Sequence, residues 1–317
     1  MTICGRRAPL HFGPMQTRKI GSLEVSVVGL GCNNFGWRID AEASAKVIGA
    51  AIESRITFFD TADRYGKGQS EDFLGRALGS RRDQIILATK FGMEMEKGQQ
   101  GASPQYILEA SLRRLRTDRI DLYQLHQPDP KTPIADTLGA LVQLVRAGKV
   151  REIGCSNFSV PQIREAADAA KGGAHFVSVQ NEFSLFHRDP ENDGVLAECE
   201  ARGLAFLPYF PLASGLLTGK YRCGKKLPER SRAAEGWGPK VFTERNLTVV
   251  ERLIEFAESR NHTVLDLAFA WLLAHKPVAS VIAGASKPEQ IQANAKAVNW
   301  KLTSDDLAAI DAIMTGK

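Results

Sequence analysis

The run Phe58-Phe59-Asp60-Thr61-Ala62-Asp63-Arg64-Tyr65-Gly66 decides how the rest of the chain is read. Its apolar start reads as a short buried strand that ends at Asp60 and opens into a loop carrying Tyr65. An acid at a strand end with a phenol just beyond it is a catalytic layout. An aspartate there also serves as a turn former or a helix cap, so the neighbouring segments have to decide.

They repeat one theme on both sides of this run. Short apolar segments at Ile85–Lys90, Asp121–His126, Val150–Cys155, Phe176–Gln180, Leu204–Tyr209 and Val278–Ala283 alternate with amphipathic helices. With Phe58–Asp60 and the segment ending near Val28-Gly29-Leu30-Gly31, they make eight strands. The helices are expected over about Glu71–Leu78, Pro104–Arg116, Ile134–Ala147, Pro161–Ala170, Val195–Arg202, Thr263–His275 and Pro288–Val298. One more, after strand one, is capped by Asp40, and a last one is capped at Thr303. The strands are continuous apolar runs, as in a parallel sheet covered on both faces. Eight strands each followed by a helix specify the α/β class and a (β/α)8 barrel of the TIM type.

Residues 18–317 are therefore read as a single barrel domain and residues 1–17 as a flexible lead-in. Arg18 to Val28 is expected to form an N-terminal hairpin turning at Gly21-Ser22. Between Tyr209 and Thr263 lies a long insertion, polar over Pro211–Pro239 and helical over Thr243–Ser259. A loop-plus-helix insertion after strand seven would lie over the barrel mouth and cover a ligand. The run Gly29-Leu30-Gly31-Cys32-Asn33-Asn34 lacks the last glycine of a dinucleotide fingerprint, and no helix starts on it. It reads instead as a glycine turn where backbone approaches a ligand closely.

The chain has 317 residues, 44% hydrophobic and 24% charged, enough for a large core. The net charge of +5 is mild and diffuse; it suits an anionic small ligand and argues against nucleic acid. Five cysteines are scattered, with no pairing or metal-ligand spacing. No apolar run approaches the roughly 20 residues that span a membrane, and no apolar stretch follows Arg6 and Arg7 as in a signal peptide. The expectation is a cytoplasmic enzyme with no metal and no membrane or nucleic-acid partner, as a monomer or weak homo-oligomer.

Active sites of such barrels lie at the C-terminal strand ends. There stand Gly31, Cys32 and Asn33; Asp60 and Tyr65; Lys90; His126; Ser156 and Asn157; Gln180 and Asn181; Tyr209; and Gly284 and Ser286. A free phenol titrates near 10, too high for an efficient acid at neutral pH. Lys90 beside Tyr65 would lower that value, Asp60 would keep Lys90 charged, and a neutral His126 would orient a carbonyl. The four supply a proton but no hydride, so a cofactor must. Asn157 and Gln180 can hold a nicotinamide carboxamide, and Tyr209 can stack on the ring. Trp37, Phe91 and Trp237 are candidate pocket walls.

These residues resemble the aldo-keto reductase family. The likeness rests on Gly29-Leu30-Gly31, Asp60-Thr61-Ala62 with Tyr65-Gly66, Thr89-Lys90, Asp121–His126, Gly154–Phe158, Gln180-Asn181-Glu182, Pro211–Tyr221 and Ile282–Asn294. It implies reduction of an aldehyde or ketone by NADPH, with NADH as the alternative cofactor. Tyr65 would be the general acid, Lys90 and Asp60 would tune it, and His126 would orient the carbonyl. Ser156, Asn157 and Gln180 would hold the carboxamide. Pro211, Leu212, Ser214, Gly215, Leu217 and Lys220 would wrap the pyrophosphate, and Gly284, Ser286, Lys287, Gln290 and Asn294 would meet the adenosine end. The Gly215–Tyr221 run is most similar to the bacterial and plant branch that includes potassium-channel β-subunits. Gln290 stands where many NADPH-preferring members place an arginine, and Lys287 or Arg222 is the expected substitute for the 2′-phosphate. The alternatives are a sugar or alcohol dehydrogenase, a cofactor-binding regulatory subunit, and a Schiff-base lyase built on Lys90.

Overall fold

The computed structural model describes residues 14–93, 104–170, 173–225 and 241–316. Two antiparallel strands come first, β1 (Thr17–Ile20) and β2 (Leu23–Ser26), turning at Gly21-Ser22. Eight parallel strands follow: β3 (Val28–Gly31), β4 (Phe58–Asp60), β5 (Ile86–Phe91), β6 (Ile120–Leu125), β7 (Val150–Ser156), β8 (Phe176–Gln180), β9 (Ala205–Phe206) and β10 (Val281–Gly284). Their spatial order is β10-β3-β4-β5-β6-β7-β8-β9. A parallel bridge between Phe206 and Val278 joins the two ends, so the sheet closes into the expected barrel.

Eight of the helices follow the expected spans to within two residues at each end. Thr243, Thr263 and Thr303 each cap a helix through the side-chain oxygen, and Asp40 does the same for Ala41–Glu53. The seventh strand is the exception. Only Ala205–Phe206 pairs as a regular strand where Leu204–Tyr209 was expected. Pro208 and Pro211 have no N–H to give a ladder. The backbone still holds its course, with the Leu207 N–H on Val179 O and the Tyr209 N–H on Asn181 O.

The barrel has two apolar layers. Outside, the strands pack on the helices through a large cluster that includes Phe59, Tyr123, Phe183, Phe206 and Trp271. Inside, Phe58, Ala88, Leu122, Val177, Ala205 and Ala279 fill the lower barrel, and Ile20, Leu23 and Val25 of the hairpin plug its base. Side chains alternate along a strand. Two residues above Phe58, Ala88, Leu122 and Ser178 come Asp60, Lys90, Gln124 and Gln180, each buried. The interior thus changes from apolar to polar toward the C-terminal end, which is where the site forms. Gly29 and Gly31 serve that packing. A Cβ on Gly29 would meet Ser280 Oγ at 2.9 Å and Phe58 Cδ1 at 3.0 Å, so neighbouring strands demand the glycine.

Candidate active site

Lys90 is fully buried at the end of β5. Its Nζ donates to Asp60 Oδ2 at 2.5 Å and to the Thr61 carbonyl at 2.9 Å, and it lies 3.5 Å from the Tyr65 hydroxyl. The other carboxylate oxygen of Asp60 accepts from Gln124 Nε2 at 3.2 Å and Gln180 Nε2 at 3.0 Å. Four strand ends are therefore tied through one carboxylate. Burial pulls the Lys90 ammonium down, but Asp60 and Tyr65 outweigh it and hold its pKa above the ordinary lysine value.

For Tyr65 the balance runs against the expectation. Burial raises its pKa more than Lys90 lowers it, so the phenol titrates above its usual range. Asp60, which takes Lys90 at 2.5 Å and leaves Tyr65 a contact of 3.5 Å, adds to that rise through its own charge. His126 follows β6, its ring edge-on to Tyr65 at 5.8 Å. Burial, then Lys90 and Arg64, push its pKa well below the ordinary histidine value, so the ring is neutral at pH 7, as expected. Its Nδ1 is buried and has no partner among the described residues.

The amides stand at the same mouth. Asn157 adopts φ +63° after β7. Its Nδ2 donates to His126 O at 3.0 Å and Ser156 Oγ at 3.1 Å, and its Oδ1 accepts from the Tyr209 hydroxyl at 2.9 Å. Ser156 Oγ donates to Gln180 O at 2.7 Å. The donors of Asn157 and Gln180 thus face protein in this structure, and the network fixes Tyr209 and His126 relative to each other.

These groups line a cavity of about 630 Å³. Its wall includes Gly31, Cys32, Asn33, Asp60, Tyr65 and His126 at the centre. Ser156, Asn157, Gln180 and Tyr209 continue it, and the insertion adds Pro211, Leu212, Ser214, Gly215 and Lys220. Gly284, Ser286 and Gln290 complete it, with Gln290 Oε1 accepting from the Ser286 N–H at 2.7 Å. Phe210, Ala213, Ser214 and Gly215 all have positive φ, so the insertion turns tightly onto the wall. Leu217, Lys287 and Asn294 do not line this cavity: Leu217 and Asn294 are buried in packing, and Lys287 is exposed at the start of the helix Pro288–Lys296.

Of the three candidate walls, Trp37 lines the cavity and is 61% exposed. Phe91 does not; it is buried against Tyr123 with ring centroids 4.6 Å apart. Trp237 lies outside the described residues. Arg222 is held away from a phosphate role, gripped by both oxygens of Glu251 at 2.6–2.8 Å. Gln124, Arg64 and Arg38 are among the residues of the site that escaped sequence reading. Gln124 shares a strand face with His126, and that spacing of two was its signal. Arg64 and Arg38 also line the wall; Arg64 directly precedes Tyr65, the one hint available.

A barrel with a buried acid–lysine pair beneath a tyrosine and a neutral histidine is built to polarise a carbonyl oxygen and exchange a proton with it. A sequence model described as the aldo/keto reductase family matches residues 27–315. The chain belongs to that family and is an oxidoreductase. It is 33% identical to the L-glyceraldehyde 3-phosphate reductase of Escherichia coli O157:H7, over 96% of this chain and 93% of that protein. It is 36% identical to the aldo-keto reductase yakc [NADP(+)] of Schizosaccharomyces pombe, covering 90% and 88%. The solved structure of a glycerol dehydrogenase from Gluconobacter oxydans superposes with a TM-score of 0.82 at 32% identity, covering 95% of both chains.

Proposed function

We propose that this protein reduces an aldehyde or ketone to an alcohol with NADPH, with Tyr65 as the general acid. The observation that carries the reading is the Asp60–Lys90–Tyr65 chain of contacts beside a neutral His126. Bound nicotinamide would supply the hydride. Tyr65 donates the proton to the developing alkoxide, and Lys90 stabilises the phenolate that remains. His126 donates a hydrogen bond that fixes the carbonyl oxygen. A phenol titrating above its usual range is protonated at neutral pH, as a general acid must be.

The cavity fits such a cofactor. It has the volume of a ligand site and is lined at one end by the insertion's tight turn and Lys220. Near the catalytic groups, Asn157, Gln180 and Tyr209 would position the nicotinamide, and Gln290 and Ser286 the adenosine. The named NADP(+) relative and the glyceraldehyde 3-phosphate reductase favour this cofactor and a small carbonyl substrate.

The test is NADPH oxidation against a panel of aldehydes and ketones, in the native protein and in Tyr65→Phe. The variant is expected to keep quenching of tryptophan fluorescence by NADPH and to lose about 10²- to 10⁴-fold in turnover. Turnover within threefold of the native protein would remove Tyr65 from the mechanism.

A further inference from the structure

We infer that Arg64 is a specificity-determining residue that selects carbonyl substrates bearing an anionic group, a carboxylate or a phosphate. The inference rests on the reductase reading above and specifies its substrate class.

Arg64 sits in the turn between β4 and the short 3-10 turn Tyr65–Gly68, immediately before Tyr65, and it lines the cavity. The charge on that wall is one-sided. Among the described residues it carries Arg38, Arg64 and Lys220, against one acid, Asp60. Asp60 is already occupied by Lys90, Gln124 and Gln180. Arg64 is half-buried, and its guanidinium has no carboxylate within ion-pair distance among the described residues. Asp63, its neighbour in sequence, feels the Arg64 charge, but its carboxyl is buried beside Glu71 and titrates at about 7, so at neutral pH it is only a partial counter-charge.

A cation partly removed from water with only a partial counter-charge gains from a ligand that supplies one. The Arg64 charge is felt at the reacting end, because it helps hold His126 neutral. A group that acts electrostatically on His126 is placed for the substrate that His126 orients. Lys220 stands on the insertion, beside Gly215 and the Tyr221 ring, and is the cation available to cofactor phosphates. Trp37, with the Arg38 guanidinium 4.9 Å from its ring, adds an apolar face to the wall. A guanidinium donates two parallel hydrogen bonds to carboxylate or phosphate oxygens, so either group satisfies Arg64.

The test is steady-state reduction of two matched pairs: 4-oxobutanoate against butanal, and glyceraldehyde 3-phosphate against glyceraldehyde. A charge-assisted contact of this kind gives the anionic member an advantage of at least about tenfold in kcat/KM, carried mainly by KM and reduced in 0.5 M salt. In R64Q, with folding verified by NADPH quenching and melting temperature, the ratio should fall below about threefold, and R64K should lie between. Preference in the first pair alone identifies a carboxylate substrate, and in the second alone a phosphate ester. Neutral members reduced as efficiently as anionic ones, or a preference that survives in R64Q, would overturn the inference and leave the reductase standing. No turnover with any member would overturn the reductase reading, and the inference with it.

Discussion

Lys90 has no exposed surface, and among the described residues its only carboxylate partner is Asp60, itself 4% exposed at the side chain. Removing one member of a buried ion pair leaves the other charge uncompensated, which typically costs about 3–5 kcal/mol, whereas removing both costs far less. Lys90→Met is therefore expected to lower the denaturation free energy by that amount, and Asp60→Asn in the same chain to recover more than half of it. Equilibrium urea unfolding of the two variants and the native protein decides this. A K90M penalty below about 1 kcal/mol would mean that Gln124 and Gln180 alone carry the Asp60 charge. Asp63 shows the opposite problem. Burial, then Glu71, raise its carboxyl to about 7, and its Oδ1 has no partner among the described residues. Between roughly pH 4 and 7 the folded state keeps a proton that the unfolded chain releases. Stability from this group is therefore greatest at acid pH, falls as pH rises through that window and levels off above it. At about 1.4 kcal/mol per pH unit, the ionised carboxyl costs of order 4 kcal/mol at pH 8. Asp63→Asn should raise the melting temperature at pH 8 and do so clearly less at pH 5. An equal shift at both pH values would place the Asp63 titration in the normal carboxylate range.

Among the elements, helix Gln69–Leu78 shows how tightly the outer ring supports the site. Glu71 on this helix accepts from Thr89 Oγ1 at 2.6 Å, next to Lys90, and pairs with Arg114 of helix Pro104–Leu115 at 2.6 Å. The two helices touch at Gly75, where a Cβ would fall 2.4 Å from Arg114 O and 2.7 Å from Leu115 C. Replacing a helix-interior glycine by alanine ordinarily stabilises by up to about 1 kcal/mol. Here Gly75→Ala is expected to destabilise by about 1–3 kcal/mol, because backbone rather than a flexible side chain must move. A rise in melting temperature on calorimetry would show that the helices can part without strain. This contact was not legible in the sequence, since a glycine inside a helix does not announce what lies across from it. The strands were legible, because burial on both faces writes an apolar run that period and length identify. The exception was Leu204–Tyr209. The run was apolar throughout, but its pairing depended on two prolines and on where the insertion turns. Of the site, Asp60, Tyr65, Lys90 and His126 could be read from their positions at strand ends. Gln124 sat one alternation inside the barrel, and the difference between a raised and a lowered Tyr65 pKa is set first by how far the folded chain buries the phenol. Such differences belong to tertiary structure.

At the scale of the whole molecule, the cavity runs from the Tyr65 and His126 end to the Ser286 and Gln290 end, so one ligand would engage most of the barrel's strand ends at once. On the reductase reading, the Ser286 and Gln290 end would meet the adenosine and decide which cofactor is preferred. Gln290 spends its Oε1 on Ser286 and has no charge to offer a 2′-phosphate. Arg222 is held by Glu251. On that reading, Lys287, exposed beside Ser286, is the expected cation for that phosphate. An exposed lysine acts as a hydrated point charge without the bidentate fit of arginine, and exposed pairs contribute about 0.2–1 kcal/mol. The expected outcome is therefore a preference for NADPH over NADH of no more than about fivefold in Kd, weakened further by salt. Tryptophan quenching titrations with both cofactors measure it directly. Lys287→Ala should bring the two constants together by weakening NADPH binding and leaving NADH binding within twofold. A preference beyond about a hundredfold would require a paired, partly buried arginine, and would move the 2′-phosphate contact away from Lys287. Tighter binding of NADH would mean that the oxygen of Gln290 faces the ribose hydroxyls in place of Ser286, with Lys287 out of reach of the cofactor altogether.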